Sequence, residues 1–232
     1  MLSEFIELAI VCALFVAVHV LLPATPIRTQ LTAWIGQRLY LLFYSAIALA
    51  LFAWMVWDFR LAPYYWIWGS PEWARQLAIF VMPFAAMLVV AGYLTPNPSA
   101  VMGEYALQGA DPARGIFQIT RHPVMLGVAI WAAAHLLANG NAAGILLFGS
   151  LLILAIVGIA HIEARRRASD DPAWQQFTAV TSIVPFAAII AKRSRFSFTP
   201  MDWTRLALGL GLYALLLRFH GEAFGVYLIG KP

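Results

Sequence analysis

The sequence has very few charged residues for its length. Asp, Glu, Lys and Arg make up 11% of its 232 residues, while hydrophobic residues make up 62%, and the mean hydropathy is +0.78. Such a chain has too little polar surface to cover a water-soluble globule, which excludes a soluble domain. Runs of about 20 apolar residues, the length that crosses a bilayer, recur along the sequence. The sequence therefore predicts a multi-pass protein whose surroundings are a lipid bilayer.

Cysteine is almost absent, and the excess of basic charge is small. Cys12 is the single cysteine, so no internal disulfide can form, and a small core residue is favoured over a reactive thiol. The net charge is +4 and the pI is about 9.5. A nucleic-acid-binding protein would need a basic soluble face, whereas these basic residues lie between apolar runs. Nucleic acid is therefore excluded as a partner.

The apolar runs predict an all-α, polytopic transmembrane helix bundle with six spanning helices. The runs cover residues 3–22, 34–57, 76–94, 122–139, 143–162 and 203–219. A seventh piece, 177–191, is short for a crossing and carries Pro185 near its middle, so it predicts a re-entrant or interfacial helix. No basic stretch precedes the first run, and a cleaved signal peptide is not expected. Residues 1–232 are interpreted as one integral-membrane domain without an internal repeat.

Basic residues between the runs predict the orientation in the membrane. They flank the first, third and fifth connections, whereas the fourth connection, 139–142, has none; they are Arg28, Arg38, Arg114, Arg121, Arg165, Arg166 and Arg167. Because cytoplasmic loops carry an excess of Lys and Arg, these three connections are predicted to be cytoplasmic. Both termini are then predicted to lie outside.

Histidines within apolar runs are the strongest indication of function. His19 lies in the first run, while His122 and His135 lie at the two ends of the fourth. Ionisable residues are costly in lipid and therefore point to a site. A neutral imidazole also needs a partner for its N–H, and a nearby backbone carbonyl is the structural alternative. Two further histidines receive no role: His220, and His161, which is interpreted as part of a solvated cytoplasmic helix end beside Glu163 and Arg165 to Arg167.

The spacing of His122 and His135 separates their side chains. Over 13 residues a helix turns by about 1300°, so the two rings point roughly 140° apart and cannot face one partner helix together. Alanines 132–134 leave a shallow wall beside His135, against which a flat macrocycle could lie. With a histidine from another helix, His135 could form a bis-imidazole haem pocket. The predicted depths of His19 and His135 differ by roughly 10 to 15 Å, so His19 with His122 is the next pair by depth.

Five ordered blocks of the sequence resemble a known family. They are residues 15–19 (FVAVH), 36–40 (GQRLY), 115–123 (GIFQITRHP), 127–135 (from Gly127 to His135) and 181–189 (TSIVPFAAI). In this order they are similar to the NnrU family of bacterial membrane proteins and to the related plant and cyanobacterial zeta-carotene isomerases. The resemblance covers residues 15–191 and implies a multi-pass protein of the bacterial inner (cytoplasmic) membrane.

The resemblance implies a cofactor and its ligands. In the isomerase branch, two histidines hold a b-type haem, and they correspond to His19 and His135 here, so haem b (Fe) is the expected cofactor. That branch has a cysteine three residues before the second ligand, where this chain has Ala132, which makes a cysteine-based redox switch doubtful. Arg38 and Arg121 are candidate partners of the haem propionates, because guanidinium binds carboxylates bidentately. A positive-inside role is the alternative for Arg38.

Two residues of the matching blocks, His122 and Trp131, complete the predicted cofactor-binding set. The implied function is isomerase-like catalysis on a hydrophobic polyene, or a haem protein that binds a diatomic gas and is linked to nitric oxide and denitrification. The resemblance does not decide between enzyme and carrier, because a fold does not imply a function.

Two alternatives stay open from the residues. The pattern Arg121-His122-Pro123 followed by Gly127 resembles integral-membrane methyltransferases of the isoprenylcysteine carboxyl type, which bind S-adenosylmethionine. Of their acidic segment, only Glu163 with the neighbouring arginines has a counterpart. The other alternative is a non-catalytic haem carrier or scaffold. The sequence names neither the substrate nor the oligomeric state.

Overall fold

The computed structural model describes residues 5–24, 26–100, 103–109 and 111–228, and helices dominate it. The long helices are α1 (Ile6–Ala24), α2 (Pro26–Leu61), α3 (Glu72–Leu94), α5 (Pro123–Asn139), α6 (Ala142–Ala168) and α9 (Pro200–Phe224). The short ones are α4 (Ile116–Ile119), α7 (Pro172–Val180) and α8 (Ala187–Ile190), besides a 3-10 helix at Gly103–Gln108. No β-strand occurs within the described ranges.

Four helices, α1, α2, α3 and α6, are long and apolar enough to cross a membrane. This confirms the predicted all-α, multi-pass membrane class. Helices also occupy the other two predicted runs: α5 is apolar but only 17 residues long, and α9 has 25 residues. Six long helices thus lie at the predicted places, while four meet the length and composition of a span. Residues 3 and 4, predicted to begin the first helix, lie outside the described residues.

The predicted seventh helix at 177–191 is wrong as a single element. Its first residues end α7, and α8 covers only Ala187–Ile190. Between them, the Ser182 hydroxyl donates to the Val184 carbonyl at 2.8 Å and accepts from the Ala188 amide at 3.0 Å. Phe186 adopts a left-handed conformation, with φ of 62°. Pro185 removes a backbone donor and disfavours a helical Val184, so the chain turns here instead of continuing as a helix.

The chain divides into two compact units. The first comprises Met1–Ala78 and Ala132–His161, and the second Ile79–Trp131 and Ile162–Pro232. In the first unit α1 packs against α2. Helix α2 is interrupted at Gly36, whose φ of 79° and ψ of 157° are not helical. Glycine tolerates this conformation at little cost, so the GQRLY block begins at a kink rather than within a straight helix.

In the second unit, glycines allow three helices to approach closely. A Cβ at Gly92 would lie 2.8 Å from a methyl group of Val124, and one at Gly209 would lie 2.6 Å from the Cα of Met87. These contacts bring α3 against α5 and against α9, as small residues commonly do between membrane helices. A buried aromatic pair, Phe117 and Phe177, links α4 to α7, with ring centroids 6.1 Å apart.

Candidate functional site

The segment 115–123 folds as one helical turn followed by an extended stretch. Gly115 precedes α4 with φ of 59°, and a Cβ there would collide with the Asp202 carboxylate. Thr120 is extended and fully buried. Its hydroxyl donates to the Ile183 carbonyl at 2.8 Å, and the Arg121 amide donates to the Ser182 carbonyl at 2.8 Å. These bonds fix the position at which Arg121 and His122 leave the backbone.

Arg121 and His122 meet at one carboxylate oxygen of Glu163. The Oε1 atom lies 2.7 Å from His122 Nε2 and 2.8 Å from Arg121 Nε. The His122 side chain is 0% exposed, and those of Arg121 and Glu163 are 12% and 11% exposed. We name these three residues the Arg–His–Glu cluster. The structure thus brings together two of the predicted cofactor-binding residues, and a carboxylate holds both.

The contact with Glu163 assigns roles to the two ring nitrogens of His122. A carboxylate accepts a hydrogen bond, so Nε2 carries the proton and Nδ1 keeps its lone pair. Nδ1 is buried and has no hydrogen-bond partner among the described residues. A histidine held by a carboxylate in this way has the electronic arrangement of many metal ligands. However, the His122 side chain is 0% exposed, so the ring has no open face in this structure.

Positive charge accumulates around Arg121. Burial lowers the pKa of its guanidinium, and the Glu163 carboxylate opposes that effect. Two further cations, Arg193 and Arg167, also lower the pKa of Arg121 by repulsion. Glu163 therefore balances only part of the positive charge at this end of the unit.

The end of α6 is more buried than the sequence predicts. Arg166 is 6% exposed, donates from Nη2 to the Pro98 carbonyl at 2.9 Å, and lies over the Trp174 ring at 5.4 Å. Its Nη1 is 3.0 Å from Glu104. The predicted solvated helix end is therefore wrong for Glu163 and Arg166. Glu163 and Arg166 are three residues apart and follow a long apolar run, so they lie on one face of the helix. This spacing is the feature of the sequence that could have indicated their burial.

A cavity of about 550 Å³ lies beside the cluster in the second unit. Its polar lining includes Arg121, Glu163, Arg166, Arg167, Asp170 and Arg193. We name it the arginine cavity. Neither His122 nor Trp131 is among its lining residues. The predicted cofactor contacts of these two residues therefore do not arise at this cavity.

His19 lies in the first unit and has an orientation that suits a ligand. Its Nδ1 lies 2.8 Å from the Phe15 carbonyl, one helical turn earlier. A carbonyl only accepts, so Nδ1 carries the proton and Nε2 keeps the lone pair that binds metals. The ring is surrounded by aromatic groups, with centroid distances of 4.2 Å to Phe15 and 5.6 Å to Tyr44. The carbonyl contact predicted as the structural alternative is thus present and is compatible with coordination.

His135 also belongs to the first unit. Its ring is half-buried and lies 5.0 Å from the Phe148 ring between centroids. Ala132 and Ala134 are buried at 0% and 5% exposure, so protein already covers most of the predicted alanine wall. Arg38 is exposed on α2. Among the described residues no group of three or more His, Cys, Asp or Glu side chains could hold a metal ion, although a haem needs only two protein ligands.

The comparisons with known proteins agree with the block pattern. The 15-cis-zeta-carotene isomerase of Zea mays, a chloroplastic protein, is 32% identical over 110 residues, which are 47% of this chain and 29% of the maize protein. Its counterpart in Arabidopsis thaliana is 35% identical over 81 residues, 34% of this chain and 22% of that protein. The chain thus aligns with less than a third of either relative's length. No solved structure matches. The sequence model of the NnrU protein family matches residues 7–228, and the chain belongs to that family.

Proposed function

We propose that this protein is an isomerase-like membrane enzyme that acts on a hydrophobic polyene. The observation that carries the proposal is the similarity to two 15-cis-zeta-carotene isomerases within an almost complete NnrU match. A polyene dissolves in the hydrocarbon phase that the apolar helices occupy. Rotation about a double bond needs no net oxidation and no leaving group.

We further propose that His19 and His135 hold haem b. The support is local: the proton on His19 Nδ1 is committed to Phe15, which leaves Nε2 for iron, and both histidines belong to the first unit. Ferrous haem, when bound, would supply a coordination position for a double bond or a diatomic gas if one of the two imidazoles left the iron. Of the two arginines predicted for the propionates, Arg38 is exposed, whereas Arg121 is paired with Glu163.

The aromatic residues around His19 have a role of their own in this proposal. Tyr40 and Tyr44 stack with centroids 6.1 Å apart, and Phe15 lies 6.1 Å from Phe52. Flat aromatic faces favour offset or edge contacts with a conjugated chain and exclude water from it. These side chains would orient a polyene near the first histidine and limit the conformations open to it.

Spectroscopy and turnover test the two statements separately. The pyridine haemochrome spectrum of detergent-purified protein should show haem b, and His19→Ala and His135→Ala should each lose the Soret band. His161→Ala, a half-buried histidine on α6, is the matched control and should keep it. The preparations that keep the Soret band should convert 15-cis-zeta-carotene, and those that lose the band should not. Turnover by colourless protein would overturn the haem proposal and keep the isomerase, whereas haem with nitric-oxide binding but no turnover would favour the gas-binding or carrier function.

A second candidate, an S-adenosylmethionine-dependent methyltransferase, is favoured by one contact. His122 of the Arg-His-Pro block pairs with Glu163, the single acidic residue that corresponds to the methyltransferase segment. The geometry also weighs against it, because His122 is fully buried and does not line the arginine cavity. Equilibrium binding of S-adenosylmethionine to the purified protein decides this point, and saturable binding would favour the methyltransferase.

We also propose that α5 and α9 cross the membrane with the four apolar helices, in a bacterial inner membrane and with both termini outside. The apolar runs 122–139 and 203–219 and the basic connections support this orientation. Single cysteines on the two sides of each helix test this, in a Cys12→Ala background: Asp111 lies before α5 and Asn139 at its end, and Ser197 lies before α9 and Glu222 near its end. A membrane-impermeant maleimide should label the Asn139 and Glu222 positions in intact spheroplasts, and the Asp111 and Ser197 positions only in inside-out vesicles. Labelling of both positions of a pair from the same side would refute the crossing of that helix.

A further inference from the structure

The arginine cavity is a feature that the isomerase-like proposal does not use. Its four guanidinium groups come from three separate parts of the chain: Arg121 before α5, Arg166 and Arg167 at the end of α6, and Arg193 after α8. Like charges gathered around one cavity repel one another, and Arg121 shows this repulsion from both Arg167 and Arg193. Such an arrangement is stabilised when an anion occupies the space between the cations.

Several of these guanidinium groups are held in place by the protein. Arg193 donates from Nη1 to the carbonyls of Thr178, Ala179 and Thr181 at 3.3, 2.6 and 3.0 Å, at the C-terminal end of α7. Those bonds use one nitrogen of the fork. Arg166 is bound to the Pro98 carbonyl, and its buried Nε has no hydrogen-bond partner among the described residues. Cations fixed before binding lose little entropy when a ligand arrives.

The charges of the cavity indicate which anion fits. Glu163 pairs with Arg121, and Glu104 pairs with Arg166. No ion pair of the described residues involves Arg167 or Arg193. Asp170, the other acidic lining residue, accepts a hydrogen bond from Gln175 at 2.6 Å and keeps its negative charge. The four guanidinium groups and two carboxylates of the lining therefore carry a net charge of +2. A single carboxylate would balance only one of these two charges, whereas a phosphate monoester carries about −1.5 to −2 charges at pH 7 and three acceptor oxygens.

We propose that the arginine cavity binds a terminal phosphate group, which carries at most one ester bond. Two sources share this chemistry: the headgroup of a lipid such as phosphatidic acid, and free inorganic phosphate. The cavity is also lined by Ile183 and Val184, which are 37% and 66% exposed. An acyl chain attached to the phosphate could lie along these side chains, whereas inorganic phosphate gains nothing from them.

Binding to the purified full-length chain tests the proposal. Inorganic phosphate is titrated into protein in a neutral detergent, and phosphatidic acid is titrated in nanodiscs of phosphatidylcholine, with phosphatidylglycerol as the diester comparison. Saturable binding of phosphate or phosphatidic acid, with phosphatidylglycerol weaker, supports the site. Tighter binding of phosphatidic acid than of phosphate identifies a lipid ligand, and equal binding identifies the free anion. No saturable binding of either probe, or a preference for phosphatidylglycerol, would overturn the proposal.

Variants in which glutamine replaces one arginine test whether binding occurs at the arginine cavity. Arg167→Gln and Arg193→Gln should each weaken binding about tenfold, as expected for the loss of one charge-assisted hydrogen bond. Arg195→Gln, an exposed neighbour outside the lining, is the matched control and should change affinity less than twofold. Arg193→Gln also removes contacts to α7. The Arg167 side chain makes no hydrogen bond or ion pair with the described residues, so Arg167→Gln tests the cavity more directly. Equal losses in Arg167→Gln and Arg195→Gln would show nonspecific attraction and reject the site.

Discussion

Replacing Glu163 by glutamine isolates the electrostatic role of the Arg–His–Glu cluster. The amide keeps the shape of the side chain and still offers an oxygen to His122 Nε2, now 2.7 Å from the carboxylate. It removes the negative charge that lies 2.8 Å from Arg121 Nε. Among the described residues, the Arg121 side chain then has two uncharged acceptors, the amide oxygen and, more weakly, the Thr178 carbonyl at 3.4 Å. In the variant, the Arg121 guanidinium therefore loses its counter-charge, although its side chain is only 12% exposed.

The structure sets the expected size of this effect. Removing one partner of a buried ion pair typically costs about 3 to 5 kcal/mol, because the other charge remains desolvated. The remaining acceptors and the slight exposure place Glu163→Gln near the lower end, at about 3 kcal/mol. For a chain of this length, each 1 kcal/mol lowers the melting temperature by about 2 to 4 °C. We expect a fall of roughly 6 to 12 °C.

The assay is thermal unfolding in detergent, followed by the fluorescence of the nine tryptophans. A double variant, Arg121→Met with Glu163→Gln, removes both charges, keeps an amide oxygen for His122 Nε2, and should recover most of the lost stability. The matched control is Glu222→Gln, which breaks an exposed pair with Arg218 at 3.3 Å and should change the midpoint little. A midpoint for Glu163→Gln equal to that of Glu222→Gln, or a double variant less stable than Glu163→Gln, would refute the reasoning.

Three further predictions concern α9. Gly209→Ala places a Cβ 2.6 Å from the backbone of α3 and should destabilise the protein by about 1 to 3 kcal/mol. Gly211, by contrast, has open space around it, so Gly211→Ala should be neutral or stabilising. Equal thermal midpoints of the two variants would contradict the close packing of α9 on α3. Thr199→Ala removes the capping box with Asp202 and should lower stability by about 1 kcal/mol in chemical denaturation, and no loss would mean that the cap is not needed. Burial raises the pKa of Asp202, but hydrogen bonds from Thr199 and the charge of Arg205 outweigh it and hold the pKa below the usual 3.8. The resulting stabilisation should be full above pH 3.8 and disappear as the pH falls through the lowered pKa. In Asp202→Asn the melting temperature should therefore depend less on pH in this acidic range.

The positions of the long helices could be predicted because they depend on apolar length alone. Every predicted run has a helix, but the boundaries differ where polar residues continue the helix. Helix α2 begins at Pro26 rather than at 34, and α6 ends at Ala168 rather than at 162. Residues 26–33 and 163–168 carry no continuous apolar signal, although Arg, Gln and Ala favour helices. The residues between α7 and α8 continue an apolar piece, so composition alone predicts one element there, although Pro185 marks the turn.

The site could be predicted only in part, because its contacts are distant in sequence. The block 115–123 was recognised from its polar residues in an apolar chain, and it does contain the buried His122. Glu163 lies 41 residues from His122 along the chain, and no local pattern links them. Arg193 belongs to none of the predicted sites, yet in the structure it caps α7 and lines the arginine cavity. The sequence shows which residues are costly in lipid, while their partners depend on tertiary packing.

The hydrogen-bond partners distinguish two histidines, His19 and His122, that both lie in apolar runs of the sequence. His19 gives its Nδ1 proton to a carbonyl on its own helix and is half-buried among aromatic rings. His122 gives its Nε2 proton to a carboxylate and is 1% exposed. A histidine that binds a cofactor must present its lone pair to a space that the cofactor can enter, and of these two residues only His19 is partly exposed. His122 is better explained by its position between Arg121 and the start of α5, where it anchors a carboxylate that the arginine also needs. We therefore expect His122→Ala to lower the melting temperature without removing the Soret band, and His19→Ala to remove the Soret band. Loss of the Soret band in His122→Ala at an unchanged melting temperature would reverse the two assignments.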